Sequence, residues 1–331
     1  MKVAVLGATG LVGRQMLAVL ERRGFPADQL VPLASSRSAG RRLPFRGQEI
    51  PVREVCEEAF EGVDLALFSA GSGPSRRWAP EAARRGAVVV DNSSAWRMDP
   101  EVPLVVPEVN GEDARKHRGI IANPNCATIQ ALVALAPLHR EAGLEYLSAA
   151  TYQSVSGTGS VAVAELEEGA RAVLEGREGT PSVYPHPIAF NLLPHIGAFD
   201  DQGVSEEEWK MVRESRKILH LPDLAVSSTT VRVPVFRGHG EALVAQFRED
   251  LSPERAREIL ADAPGVQLAD DPARGVYPLP REAEGTDPVY VGRIRRDTGL
   301  PRALALWVVS DNLLKGAALN AVQIAETLFP A

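Results

Sequence analysis

A short apolar strand, Met1 to Leu6, runs directly into Gly7-Ala8-Thr9-Gly10-Leu11-Val12-Gly13, and helical spacing follows at Leu11, Val12, Met16, Leu17 and Leu20. Strand, glycine turn and helix in immediate succession are the opening unit of a doubly wound parallel sheet. Glycine lets the backbone turn tightly and approach a pyrophosphate, whose charge the helix N-terminus stabilises. The glycines stand at i, i+3 and i+6, one residue wider at the first step than the commonest dinucleotide fingerprint, with the same physics. The pattern predicts dinucleotide contacts at Gly7, Thr9, Gly10, Leu11 and Val12. A tight turn of purely structural purpose is the alternative reading.

The second strand, Leu30 to Ala34, ends in Ser35-Ser36-Arg37-Ser38. An acidic residue near this point would accept the ribose hydroxyls of NAD. Here Arg37 offers a fork that matches phosphate oxygens, and Ser35 and Ser38 add neutral donors, so NADP is favoured over NAD. A solvated polar loop would have the same composition. Alternation continues with a strand over 64–69, a helix through the Arg76 to Arg85 region and a strand over 87–91. Ligands in such sheets lie beyond the carboxyl ends of strands, which directs attention to Ser69 and Gly71 and to Asn92-Ser93-Ser94. A final amphipathic helix is expected over 311–328, available to return to the first domain.

A chain of 331 residues exceeds what one core supports, so two domains are expected. The net charge of −7 argues against a general nucleic-acid binder. No apolar run has the length of a membrane helix. The strand at the very start leaves no room for a signal peptide, so a cytoplasmic protein is expected. Two cysteines, Cys56 and Cys126, build no disulfide framework, and no cysteine and histidine spacing suggests a metal.

The second half carries the reactive residue types. Pro124-Asn125-Cys126-Ala127-Thr128 sets a cysteine behind a turn and ahead of apolar helical spacing at Ile129, Leu132, Val133 and Leu135, with Asn125 able to cap. Unpaired N–H groups in a first turn stabilise a thiolate. A small buried core residue is the competing reading. Leu144 to Gln153 is strand-like, and Ser154 to Ser160 is glycine-rich, followed by a helix to about Leu174. Residues 176 to 205 read as a long irregular connection, and Ser205-Glu206-Glu207-Glu208 opens a helix containing Lys210. A buried strand over 229–236 contains Arg232, which is costly there unless paired or facing a ligand. A structural salt bridge and a carboxylate site are both open for it. His239, in a glycine-flanked turn, is expected to be accessible and to titrate near neutrality, although five other histidines show how little one alone proves.

Taken in order, Gly-Ala-Thr-Gly-Leu-Val-Gly, Ser-Arg-Ser-Ala-Gly, Pro-Asn-Cys-Ala-Thr, Thr-Tyr-Gln-Ser-Val-Ser-Gly-Thr-Gly, Glu-Glu-Trp-Lys and Arg-Val-Pro-Val-Phe-Arg-Gly-His resemble the aspartate-β-semialdehyde dehydrogenase family across essentially the whole chain. The resemblance implies an α/β fold: a Rossmann-like NADP domain over 1–126 and 311–331, and an α+β substrate and dimerisation domain over 127–310. It implies NADP-dependent interconversion of L-aspartyl-4-phosphate with L-aspartate-4-semialdehyde and phosphate, on the route to lysine, methionine, threonine and isoleucine. Cys126 then matches the nucleophile, His239 the acid/base and Gln153 the group that orients substrate. Arg232 matches the carboxylate ligand, and Arg97, Asn125 and Lys210 match groups at the substrate and phosphate. Glu207, in an acidic run that leaves one residue of ambiguity, matches the acid near the substrate amine. Ser156, Gly157 and Asn312 match positions near the cofactor. A homodimer is implied, with no further association fixed. N-acetyl-γ-glutamyl-phosphate reductase shares the same acyl-phosphate logic, and a non-enzymatic NADP-binding regulator is the rival from another class.

Overall fold

The structure, a computed structural model, describes residues 1–330. Its contacts separate two compact units: Met1–Asn125 together with the segment from Ala317 onward, and Cys126–Gly316.

The first unit contains β1 (Lys2–Leu6), α1 (Leu11–Arg22), β2 (Gln29–Ala34), β3 (Arg42–Phe45), β4 (Gln48–Pro51), β5 (Arg53–Glu54), β6 (Leu65–Phe68), α2 (Ser72–Arg84), β7 (Val88–Asp91), α3 (Pro107–Asn110) and β8 (Ile120–Ala122). Six strands form one sheet in the order β5-β2-β1-β6-β7-β8, parallel throughout. Parallel strands carry helices on both faces and so read as unbroken apolar runs. Leu65-Ala66-Leu67-Phe68 is buried at every position. The chain leaves β1 toward β2 on one side and later crosses to β6 on the other. Between β1 and β6 the order reverses, so the loops that begin at Gly7 and Ser69 emerge side by side. This is the doubly wound sheet that the sequence predicts.

The second unit contains α4 (Cys126–Ala142), β9 (Leu144–Gln153), α5 (Ser160–Leu174), α6 (Glu206–Ile218), β10 (Ala225–Arg232), β11 (His239–Phe247), α7 (Pro253–Ala261), β12 (Val266–Leu268), α8 (Pro280–Ala283), β13 (Val289–Arg296) and β14 (Ala303–Ser310). Its mixed sheet runs β10-β9-β11-β14-β13-β12. β11 is antiparallel to both neighbours, and β9 and β10 are parallel. Helix α4 packs on one face and is buried from Ala127 through Ala136, whereas Cys126 at its head is half-buried. Ser205 caps α6, accepting from the Glu208 N–H while the Glu208 carboxylate accepts from the Ser205 N–H.

Two local expectations need correction. The strand expected over 229–236 occupies Ala225–Arg232, and Val233 to Phe236 leave the sheet. Pro234 has no N–H to offer a ladder, and Val235 N–H turns back to the Val233 carbonyl at 2.8 Å. The strand is also the edge of its sheet, paired with β9 and beyond it only bridged by Leu193 at Arg232, so six of its first seven side chains lie at the surface or half out of it rather than in the core. The helix expected over 311–328 begins as one π turn at Leu314–Ala318, and α9 proper spans Leu319–Leu328. Asp311 and Asn312 stay with the second unit because their side chains are bonded there. Asp311 pairs with Arg237 at 2.8 Å, and Asn312 accepts from the Gly238 N–H at 2.9 Å. Helix α9 belongs to the first unit: Asn320 Nδ2 donates to the Val105 carbonyl at 3.0 Å and to Asn123 Oδ1 at 2.7 Å. It is buried all round over Leu319–Val322 rather than along one stripe.

Candidate active site

In the first unit the glycine turn is dictated by close approach. Gly7 has φ +85°, and a Cβ there would stand 2.4 Å from the Ser69 carbonyl oxygen. A Cβ on Gly13 would meet the Gly7 carbonyl oxygen at 2.2 Å. Gly10 caps α1 without a side chain, and the first turn carries no acid, so the helix presents its N–H groups toward the turn. Thr9, Leu11 and Val12 are half-buried around it. These features fit a dinucleotide pyrophosphate. Beyond β2, Ser35 and Arg37 are exposed and Ser38 is half-buried, and Arg37 has no ion-pair partner among the described residues. Gly71 takes φ +86° to start α2.

At the end of β7 the buried Asp91 carboxylate accepts from the Ser93 N–H at 3.1 Å and the Ser93 hydroxyl at 2.6 Å. Burial pushes its pKa up against those two hydrogen bonds. They fold the 92–94 loop back on the strand. Arg97 is buried beside it, donating Nε to the Asn123 carbonyl at 2.9 Å and Nη2 to the Asn92 carbonyl at 3.0 Å. Its charge is thus held in place by neutral carbonyls. Asn125, also buried, is the last residue of this unit before the crossover.

The second unit gathers nine of the residues singled out in the sequence. His239 opens β11 and is fully buried. Its Nδ1 accepts the Ser154 N–H at 3.1 Å, which assigns the neutral ring proton to Nε2, and Nε2 has no partner among the described residues. Burial first, and the Arg232 charge second, push its pKa down to about 3, with Glu207 opposing. This corrects the accessible turn histidine titrating near neutrality that the sequence suggested: the ring is enclosed in the sheet and at neutral pH is an uncharged donor. Arg232 closes β10 and donates Nη1 to the Ser154 carbonyl at 2.8 Å, while its buried Nε has no partner among the described residues. A Cβ on Gly157 would lie 3.0 Å from Arg232 Nη1 and 3.5 Å from His239 Nε2. The missing side chain leaves the space between guanidinium and imidazole.

Asn312 knits this loop together, accepting from Ser154 Oγ at 3.1 Å and donating to Ser156 Oγ at 3.0 Å. Gln153, buried at the end of β9, donates to Glu207 Oε1 at 3.2 Å, and Lys210 Nζ holds Glu207 Oε2 at 2.9 Å. Glu207 and Lys210 are therefore an ion pair on one face of α6. Cys126 is brought into this group through its helix. One turn on, Gln130 donates to the His239 carbonyl at 3.5 Å and accepts from Ser310 Oγ at 2.7 Å, registering the Cys126 face of α4 on β11. Gly316 of the π turn lies against Cys126, where a Cβ would come within 2.7 Å of the cysteine Cβ.

Sequence reasoning passed over Gln130, Ser154, Gly316 and Glu241. Gly316 had a readable signal, an isolated glycine in a helical pattern, which marks close approach. Glu241 had one too, a charge in an apolar strand, and it is fully buried two residues beyond His239 with neither carboxyl oxygen partnered among the described residues. Gln130 and Ser154 had none, because their contacts are long-range.

Comparison with known proteins gives a single answer. Residues 2–117 match the model of the semialdehyde dehydrogenase NAD binding domain, and residues 135–315 match that of the semialdehyde dehydrogenase dimerisation domain. The aspartate-semialdehyde dehydrogenase of Aquifex aeolicus is 53% identical over 99% of this chain and 97% of its own length. The structure of aspartate semialdehyde dehydrogenase II from Vibrio cholerae, complexed with ASA, superposes with a TM-score of 0.96 at 46% identity, covering 99% of this chain and 97% of that one. A more distant structure, aspartate semialdehyde dehydrogenase with NADP from Candida albicans, has a TM-score of 0.75 at 26% identity over 99% and 98% of the two chains. With its doubly wound first unit and mixed-sheet second unit, the chain belongs to the aspartate-semialdehyde dehydrogenase family of oxidoreductases.

Proposed function

We propose that the chain reduces L-aspartyl-4-phosphate to L-aspartate-4-semialdehyde with NADPH, reversibly, through a thioester on Cys126. The observation that carries this reading is the pair of buried, unpartnered donors, His239 Nε2 and Arg232 Nε, beside the space left at Gly157. A buried donor without an acceptor is costly unless a ligand supplies one.

Cys126 attacks the acyl carbon, and phosphate leaves as the C–O bond breaks, forming the thioester. Arg97 and Lys210 are the cations assigned to the phosphate. When bound, the reduced nicotinamide supplies the hydride for the thioester carbon. The oxygen then carries negative charge, and the neutral His239 ring donates Nε2–H toward it, a role that needs no imidazolium. Collapse of the thiohemiacetal releases the aldehyde and restores the Cys126 thiolate. Arg232 holds the α-carboxylate, and Glu207, paired with Lys210, receives the α-ammonium. Gln153 fixes Glu207 from beneath. Arg37 with Ser35 and Ser38 takes the 2′-phosphate that distinguishes NADP. The Gly7 to Val12 turn takes the pyrophosphate, with Ser69 and Gly71 on the neighbouring strand end.

We infer a homodimer through the second unit. On the sheet face opposite His239, a hollow of about 320 Å³ is lined by Tyr277, Leu279 and Trp307 among others, with Tyr152 exposed and its ring tilted at 57° to that of Trp307, 5.6 Å between centroids. Such a face suits burial against a second copy. Among the described residues no helix is long and apolar enough to cross a membrane, and a reducing cytoplasm would keep Cys126 as a thiol. The test is absorbance of reduced cofactor when the protein is mixed with aspartate semialdehyde, phosphate and NADP. Turnover with the N-acetylated glutamate analogue and none with aspartate semialdehyde would overturn the reading.

A further inference from the structure

The 176–205 connection, with neither helix nor strand, leaves one side chain unexplained. Glu165 on α5 reaches across to this segment and accepts from the Ser182 N–H at 2.6 Å, the Ser182 hydroxyl at 2.8 Å, and the Val183 and Tyr184 N–H groups. Burial pushes that carboxyl up, but these donors outweigh it and hold the pKa below the ordinary value. Four donors on one carboxylate fix the backbone of 182–184. Small residues let the segment lie close: Gly179 packs on Gly169 of α5, where a Cβ would sit 3.2 Å from the Gly169 Cα. Val183 and Tyr184 pack on the apolar cluster of Val155, Ala162, Leu166 and Ile188. The clamp therefore attaches Tyr184 to the same cluster that anchors the 154–158 loop.

From there the Tyr184 hydroxyl donates to Thr158 Oγ1 at 3.0 Å. Thr158 follows Gly157, the residue whose absent side chain makes room beside Arg232 Nη1. A threonine hydroxyl has one proton to donate. With Tyr184 occupying an acceptor position, that proton is left available to another acceptor, and Thr158 is exposed with no other side-chain partner among the described residues. The Arg232 charge also acts on the Tyr184 phenol, pulling against the upward push of burial.

We propose that Tyr184 is a positioning residue for substrate recognition, orienting the Thr158 hydroxyl as a second donor to the carboxylate held by Arg232. This inference rests on the proposed reaction and adds to it one neutral donor, the Thr158 hydroxyl, oriented from the clamped connection by Tyr184. The chemistry recognised is a carboxylate on the carbon chain remote from the reacting acyl group.

A double-mutant cycle tests it. Tyr184→Phe and Thr158→Val are each expected to raise the KM for aspartate semialdehyde about three- to tenfold, the worth of one hydrogen bond, with kcat and the NADP KM within twofold of wild type. Combined, they should raise KM no further than the larger single effect, because both remove one relay. Glu165→Gln, which weakens the clamp, should shift the same KM. A purely structural role would lower Tm without this split. Multiplying effects, an unchanged KM in either single variant, or a fall in kcat alone would overturn the assignment. If the wild-type chain does not turn over aspartate semialdehyde, the proposed reaction fails; if it does and the variants match it, only the Tyr184 role fails.

Discussion

Gly316→Ala is the sharpest available probe of how Cys126 is held. The added methyl would stand 2.7 Å from the Cys126 Cβ and 3.3 Å from its Cα, about 0.7 Å inside the 3.4 Å at which ordinary contact begins. Gly316 does not have a positive φ, so alanine brings no backbone strain. Helix propensity even favours it by about 1 kcal/mol. Against that stands an overpacking cost of roughly 1–3 kcal/mol. The two nearly offset, and in a chain this long each net kcal/mol moves Tm by only about 2–4 °C or less. Stability is therefore a poor readout, and rate is a good one. Cys126 begins its helix half-buried, and α4 is buried from Ala127 through Ala136, so the helix start is the part that can yield. Displacing a nucleophile by about 1 Å costs roughly a hundredfold in rate. The expected outcome is a fall in kcat of about 10- to 100-fold with cofactor affinity retained. The assay is steady-state turnover, with the alkylation rate of Cys126 measured in a Cys56→Ser background. A kcat within twofold of wild type at an unchanged alkylation rate would refute the claim that this contact sets the nucleophile.

Other outcomes follow from the same geometry. Cys126→Ser should lower turnover by orders of magnitude while NADP binding, followed by fluorescence titration, survives; full activity would remove Cys126 as nucleophile. Arg37→Ala should raise the NADP KM more than the NAD KM, and equal effects would take Arg37 off the 2′-phosphate. Glu241 has its pKa raised well above 4.5 by burial, so the folded state keeps a proton that the unfolded chain loses. Its contribution is full below pH 4.5 and is lost as pH rises toward the folded pKa; the Tm of Glu241→Gln should therefore gain steadily on wild type as pH rises above 4.5. His239 works in the opposite direction. With a folded pKa of about 3 against 6.5, it destabilises the fold as pH drops from 6.5 toward 3, and His239→Asn should flatten that acid limb of the Tm curve.

Much of the first unit was legible because its determinants are local. A parallel strand buried on both faces must be an apolar run, and a backbone that passes 2.4 Å from where a Gly7 Cβ would be must carry glycine. Those requirements act within a few residues, and the pattern displays them. Cys126 was legible for the same reason, as a cysteine between a turn and helical spacing. Arg232 was visible as a charge in an apolar strand, although the pattern left a salt bridge and a ligand equally open; Glu241 carried the same signal and was passed over.

What the sequence determined by itself is the doubly wound first unit, the placement of Cys126 at a helix start and the residue types available for anion binding. Tertiary structure alone decided that Ser154 selects the His239 tautomer, that Gln130 ties the Cys126 helix to the His239 strand, and that Gly316 abuts the cysteine. It also divided one helical pattern, keeping Asp311 and Asn312 with the second unit and sending α9 to the first. The physical reason is separation along the chain. Ser154 and His239 lie 85 residues apart, and Gln130 and His239 lie 109 apart. Periodicity reports which face of an element is buried, but the partner it meets there is set by the whole topology.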